Sequence, residues 1–168
     1  GWWKGSGVAL ENAWRPEVAA VAQLSGVTMV DVDYPLVPEA SLPEVMSAVA
    51  DAAAWARRQA DWVGAWGYSS GGALAVLCAP LFDALALTFP HLDLTVLPDD
   101  VRAGVNEFPT ALPPTFIQVA SNDTIAGRYE WAEALAVKVT EYVSEHRVST
   151  PKVARQRVMD VAEFLKGV

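Results

Sequence analysis

One cysteine in 168 residues, Cys78, excludes an internal disulfide and any zinc cluster built on thiolates. Histidine is nearly as scarce. His91 and His146 are the only two, too few for a histidine-rich metal site. Basic residues are short as well: 12 Lys and Arg stand against 20 Asp and Glu, a formal net charge of -8, and no basic run offsets it. Such a chain is a poor match for a phosphate backbone, so no nucleic-acid partner is expected. No apolar stretch reaches the about 18 residues of a membrane helix, so no span is expected. The start, Gly1-Trp2-Trp3-Lys4-Gly5-Ser6-Gly7, lacks a basic segment followed by an apolar core. It does not read as a signal peptide, and a cytoplasmic location is expected. Internal repeats and low-complexity tracts are absent too.

What is present is hydrophobic. Apolar residues make up 52% and charged residues 19%, which suits a globular chain with elements buried on both sides. The length argues for a single domain over 1–168. Trp14 to Leu24 reads as a helix with Pro16 in its first turn. The β-branched run V-T-M-V-D-V-D-Y, 27 to 34, reads as a strand closed by Pro35 and Pro38. Ser41 and Glu44 form a capping-box pattern opening a long helix to about Gln59. Val63 to Tyr68 is a short strand, Gly71 to about Ala79 a helix apolar on every face, and 84 to 90 a further strand. Residues 91 to 113 read as loop, 115 to 120 as a strand, and Tyr129 onwards as helix. The stretch 136 to 146 alternates like a strand, yet Trp131, Leu135, Val139 and Tyr142 also fit a continuing helix. Thr150-Pro151 opens a last helix ending near Lys166-Gly167. Short apolar strands separated by helical crossovers predict an α/β fold, a three-layer α/β/α sandwich around a mostly parallel sheet. Functional groups in such sheets gather at the carboxyl ends of the strands.

At one of those ends lies Gly67-Tyr68-Ser69-Ser70-Gly71, a G-x-S-x-G pattern between a buried strand and a buried helix. At about 7% each for Gly and Ser, the pattern arises by chance in roughly one chain in twenty of this length, so its setting carries the signal. A strand–turn–helix this tight lifts the central hydroxyl above the sheet and aims the helix N-terminus at it. Only Ser69 has glycine at both minus two and plus two, which makes it the candidate nucleophile. The backbone N–H of Ser70 is then a candidate oxyanion donor. A serine hydroxyl needs a base, and the base needs a carboxylate to fix its tautomer. Asp123, in Ser121-Asn122-Asp123-Thr124 after the strand 115 to 120, and His146, the only later histidine, are the natural candidates. Outside these roles Asp123 reads as a helix N-cap and His146 as a helix-end histidine. His91 reads as structural or pocket-lining and Cys78 as a small core residue.

Five segments in order carry a resemblance: G-W-W-K-G-S at 1 to 6, D-Y-P-L-V-P-E at 33 to 39, G-Y-S-S-G-G-A-L-A from Gly67, L-T-F-P-H-L-D-L-T at 87 to 95 and L-P-P-T-F-I-Q-V-A-S-N-D at 112 to 123. Together they resemble α/β-hydrolases of the hormone-sensitive-lipase-like esterase group. Y-P-L-V-P-E-A-S-L-P-E-V at 34 to 45 and A-A-A-W at 52 to 55 also resemble arylformamidases of the same fold. The resemblance implies a serine esterase acting on a small-molecule ester through Ser69, His146 and Asp123, with no metal or organic cofactor. It implies an oxyanion hole of Ser70 and Gly1, and substrate contacts from Trp2, Trp3 and Tyr68, with Trp14 near the acyl pocket. An arylformamidase-type amide hydrolase and a non-catalytic fragment of the fold are the alternatives.

Two departures accompany it. The chain begins inside the oxyanion segment, truncated relative to the group, so its H-G-G is cut down to Gly1. Losing a second oxyanion donor lowers acyl-transfer rates about a hundredfold or more. If 136 to 146 is helix, His146 is also carried away from Ser69. The expected sheet has five strands, with 27–34 pairing directly to 63–68 and an open edge that leaves room for a homodimer.

Overall fold

The computed structural model describes residues 2, 3, 14–126 and 137–168. Strands β1 (Gly64–Tyr68), β2 (Ala84–Thr88), β3 (Thr115–Ala120) and β4 (Lys138–Tyr142) form one sheet in the order β1-β2-β3-β4, every neighbouring pair parallel. The register aligns Tyr68 with Thr88, Thr88 with Gln118, and Gln118 with Thr140. The four carboxyl ends therefore finish side by side. Among the described residues the helices are α1 (Arg15–Ser25), α2 (Leu42–Arg57), α3 (Ser70–Leu77), the short α4 (Asp99–Arg102) and α5 (Pro151–Lys166).

Local signals set the helix ends. α1 stops at Gly26, whose φ of 78° is left-handed and whose N–H returns to the Ala22 carbonyl. At the start of α2 the Glu44 carboxylate accepts from both the N–H and the hydroxyl of Ser41, at 2.7 Å each. Those two bonds hold the Glu44 carboxyl below its usual value.

The strand pleat divides the core. Leu85, Leu87, Ile117 and Val119 point to one face, where Ala75, Val76 and Ala79 of α3 and the turn after it cover them. Ala73, Leu74 and Leu77, on the other side of α3, pack against Leu42 and Val45 of α2 together with Trp2, Val37, Leu94, Leu97 and Val101. Covered on both sides, α3 has no face left for polar residues, which is why it reads as apolar all round. On the opposite sheet face Ala86 and Phe116 meet Val21 of α1 and Val158, Val161, Ala162 and Leu165 of α5. The three-layer α/β/α architecture is thus present.

The expected strand 27–34 is corrected. Residues 26–36 form no ladder, and among the described residues β1 lies at an edge of a four-stranded sheet rather than pairing with them. Val27 and Met29 are half-buried on the α1–α5 cluster, Val30 and Asp31 are both exposed, and half-burial resumes in the opposite phase at Val32 and Tyr34. The β-branched, apolar composition of the run is a local preference; a ladder needs a partner elsewhere in the chain, which local pattern does not encode. The nearest pairing is a parallel bridge between Trp3 and Val37, with the Val37 N–H on the Trp2 carbonyl at 2.7 Å. The loop 91–113 is partly ordered as a turn of 3-10 helix at Leu94–Val96 and as α4. The ambiguous stretch 136–146 contributes β4, whose Phe116↔Lys138 to Ala120↔Tyr142 register with β3 decides for strand. The helix expected from Tyr129 begins outside the described residues.

Candidate active site

Ser69 follows β1 directly and caps α3 with φ 55° and ψ -122°, a backbone conformation unusual for a residue with a side chain. β2 and the segment that follows it hold it there: the Ser69 N–H donates to the Thr88 carbonyl at 2.9 Å, and its carbonyl accepts from the His91 N–H at 3.1 Å. The turn is closed to larger residues at two glycines. A Cβ on Gly67 would lie 2.3 Å from the Gly71 carbonyl oxygen, and one on Gly72 would lie 2.9 Å from the Pro90 side chain. Gly71 is not tight; its Cβ would meet only the Tyr34 hydroxyl at 3.8 Å. The close approach on the helix side therefore falls one residue later than the sequence pattern implies.

Asp123 and His146 come from the loops after β3 and β4. Main-chain bonds join these loops: Ser121 N–H to the Tyr142 carbonyl at 2.9 Å and Asn122 N–H to the Ser144 carbonyl at 3.0 Å. His146 Nε2 lies 2.8 Å from Ser69 Oγ, and His146 Nδ1 lies 2.7 Å from Asp123 Oδ2. The other Asp123 oxygen accepts the N–H groups of Ile125 and Ala126, at 2.8 Å each. Burial alone would raise this carboxyl; the bonds from His146, Ala126 and Ile125 outweigh it and hold the pKa below its usual value. The side chains of Asp123 and His146 are 1% and 3% exposed, so water competes little for either.

The remaining candidates are distributed as follows. Ser70 is the first residue of α3, so its N–H has no acceptor within the helix. Its hydroxyl, buried, accepts the Trp2 N–H at 3.0 Å. The Trp2 ring is buried in the cluster between α2 and α3, and Trp3 is 36% exposed. Gly1 lies outside the described residues. Trp14 packs against Trp66, ring centres 4.5 Å apart and the planes tilted by 46°. The Tyr68 hydroxyl donates to the His146 carbonyl, and burial pushes its phenol up to about 12. His91 is half-buried at the end of β2; burial lowers its imidazole pKa and the Asp93 carboxylate opposes that. Cys78 is buried between α3 and α2, its thiol pushed up to about 11 by burial. Among the described residues no three His, Cys, Asp or Glu side chains gather as metal ligands, and no helix is long and apolar enough to cross a membrane.

Beneath the strand ends runs a feature that sequence reasoning missed. Trp66 Nε1–H donates to Thr88 Oγ at 3.0 Å, and the Thr88 hydroxyl donates to Gln118 Oε1 at 2.7 Å. Gln118 Nε2 then donates to the Tyr142 hydroxyl at 3.0 Å and the Arg157 carbonyl at 2.9 Å, and Tyr142 donates to Asp160. One side chain from each strand is thereby linked. The available signal was Gln118, a lone amide in the apolar strand T-F-I-Q-V-A.

No protein-family model matches this chain, and no curated protein matches it in sequence. Solved structures do. An esterase of Pyrobaculum calidifontis is 21% identical over 91% of this chain and 70% of its own, with a TM-score of 0.72. The esterase EstE5, in a structure with PMSF, is 19% identical over 99% of this chain and 73% of its own, with a TM-score of 0.74. An esterase of the bacterial hormone-sensitive lipase family is 19% identical over 91% of this chain and 70% of its own, with a TM-score of 0.68. The fold shared with these enzymes is the α/β-hydrolase fold.

Proposed function

We propose that this chain is a serine hydrolase of small carboxylic esters, working through an acyl-enzyme. Ser69 Oγ attacks the ester carbonyl while His146 Nε2 takes its proton. Asp123 holds the Nδ1–H tautomer of His146 and stabilises the imidazolium that forms. The tetrahedral intermediate then expels the alcohol, to which His146 returns the proton. A water molecule, deprotonated by the same imidazole, cleaves the acyl-serine and releases the acid. The Ser70 N–H at the start of α3 is one oxyanion donor. The Trp2 N–H is engaged by the Ser70 hydroxyl, and the second donor is assigned to Gly1 on the resemblance of the sequence alone.

One observation carries the reading: the hydrogen-bonded line from Ser69 Oγ to His146 Nε2 and from His146 Nδ1 to Asp123 Oδ2, at 2.8 and 2.7 Å. Structural helices seldom present a serine with positive φ to an imidazole already oriented by a buried carboxylate. The esterase neighbours sharing the fold support the ester class. The test is hydrolysis of p-nitrophenyl butyrate by the wild type and Ser69→Ala, with intact mass after fluorophosphonate treatment. The expected result is a drop of about a thousandfold or more in kcat for the variant and one adduct per chain, on Ser69, in the wild type. Equal rates in the two proteins would overturn the reading.

A further inference from the structure

The residue before the candidate nucleophile touches the candidate base. Tyr68 ends β1, and its hydroxyl donates to the backbone carbonyl of His146, 78 residues away in sequence. Its ring centre lies 5.4 Å from the imidazole and 6.0 Å from Phe89. Topology explains why such a contact matters. β1 and β4 are the first and last strands of the sheet, so Ser69 and His146 start from strand ends about 14 Å apart, three spacings of about 4.8 Å. The loop after β4 must carry the imidazole back across β3 and β2. Asp123 restrains the far edge of the ring, yet a ring held at one nitrogen still swings if its main chain is free.

We infer that Tyr68 is a positioning residue for the hydrolysis proposed above: it fixes the main chain of His146 so that Nε2 stays in line with Ser69 Oγ. The inference rests on the serine-hydrolase reading and adds a second restraint on the base, independent of Asp123. Ring restraint comes from the carboxylate, and backbone restraint comes from the strand that bears the nucleophile. The burial that keeps the phenol protonated to about pH 12 leaves it a donor throughout the range where an imidazole base works. Because the bond is to the carbonyl and not to the ring, its loss displaces the base without changing the base's chemical nature.

Tyr68→Phe keeps the ring and removes the hydroxyl. With p-nitrophenyl butyrate, kcat is expected to fall about tenfold with KM within about twofold of wild type, as for loss of an interaction that sets geometry and not binding. The rate of fluorophosphonate labelling of Ser69 should fall in parallel, since it needs the same aligned base but no turnover. Trp66→Phe, in the same aromatic cluster but remote from His146, is the control. It should lower the melting temperature while leaving kcat unchanged. Wild-type kcat and labelling rate in a folded Tyr68→Phe protein would overturn the assignment, as would a loss confined to KM. So would a Tyr68→Phe phenotype indistinguishable from that of Trp66→Phe. Ser69→Ala separates the two levels: if it too retains activity, the hydrolase reading fails; if it is inactive and Tyr68→Phe is not impaired, only the role of Tyr68 fails.

Discussion

The two faces of the sheet are built from the same twenty-odd residues and solve burial in opposite ways. Toward α3 the strands present Leu85, Leu87, Ile117 and Val119, and the buried Thr115 on the same side closes its hydroxyl locally on the Pro113 carbonyl at 2.6 Å. Toward α1 and α5 they present Ala86 and Phe116, but also Trp66, Thr88, Gln118 and Tyr142 joined by hydrogen bonds. The first face gains from hydrocarbon area and tolerates changes of shape poorly. The second depends on every polar group finding its partner, because a buried orphan costs about 1–3 kcal/mol. The polar face also supports Tyr68 and Tyr142, next to the loops that carry Asp123 and His146. The apolar face holds α3 and, through it, the turn at Ser69.

This contrast can be tested from its strongest consequence downward. Ile117→Ala on the apolar face should cost about 3 kcal/mol, transfer loss plus cavity, in denaturant unfolding. Gln118→Met, one residue along and on the other face, keeps volume but leaves the Thr88 hydroxyl without its acceptor and the Tyr142 hydroxyl without its donor. About 2 kcal/mol is expected, and a cost under about 0.5 would mean the hydrogen-bonded line contributes little.

A smaller effect concerns Arg157, buried on α5, whose Nη2 bonds Glu17 of α1 at 2.8 Å while Nε and Nη1 have no partner among the described residues. Glu17→Gln leaves a buried guanidinium unpaired and should cost about 1–2 kcal/mol, whereas Arg157→Met should be close to neutral. Equal losses in both variants would show that the pair itself, not the desolvated charge, sets the energy.

The smallest effect is alkaline. Burial holds the Tyr68 phenol at about 12 and, with the Asp160 carboxylate, raises Tyr142 further. In the unfolded chain both ionise near about 10, so above that pH the folded state binds more protons and stability declines as pH rises. The double variant Tyr68→Phe, Tyr142→Phe should flatten the unfolding midpoint between about pH 10 and 12. A residual slope should survive from Tyr34, on the α3 side, also raised to about 12. On the acid side the sign reverses. Asp123 lies below its ordinary value, so its contribution is full above about pH 4 and is lost as pH falls through its folded pKa.

Much of this molecule was legible in the sequence where the signal is local. Ser41 and Glu44 mark the start of α2, Gly26 the end of α1, and Gly67 the tight turn before Ser69, because each depends on neighbours within four residues. The meeting of Ser69, Asp123 and His146 was approachable because each follows a strand that reads clearly or is the sole residue of its kind downstream. Non-local features were not legible. Val27 to Tyr34 has a strand's β-branched composition but no ladder partner among the described residues. Val139 and Tyr142 fit either period until β3 supplies the register. Gly71 and Gly72 are indistinguishable as letters, and only the position of Pro90 makes the second one tight.

The clamping of Ser69 between the Thr88 carbonyl and the His91 N–H sets an order of events. The Thr88 bond forms only once β2 has paired with β1, whereas the Ser69 carbonyl is also held locally by the Gly72 and Ala73 N–H groups of α3, at 3.0 and 3.2 Å. Before β2 is paired, Ser69 lacks its anchor on the Thr88 carbonyl, and the imidazole reaches it only when β4 has joined the far side of the sheet. Reactivity toward a fluorophosphonate becomes a clock for the last stage of assembly. During refolding, labelling of Ser69 should lag behind the recovery of helical circular dichroism and coincide with the burial of Trp66.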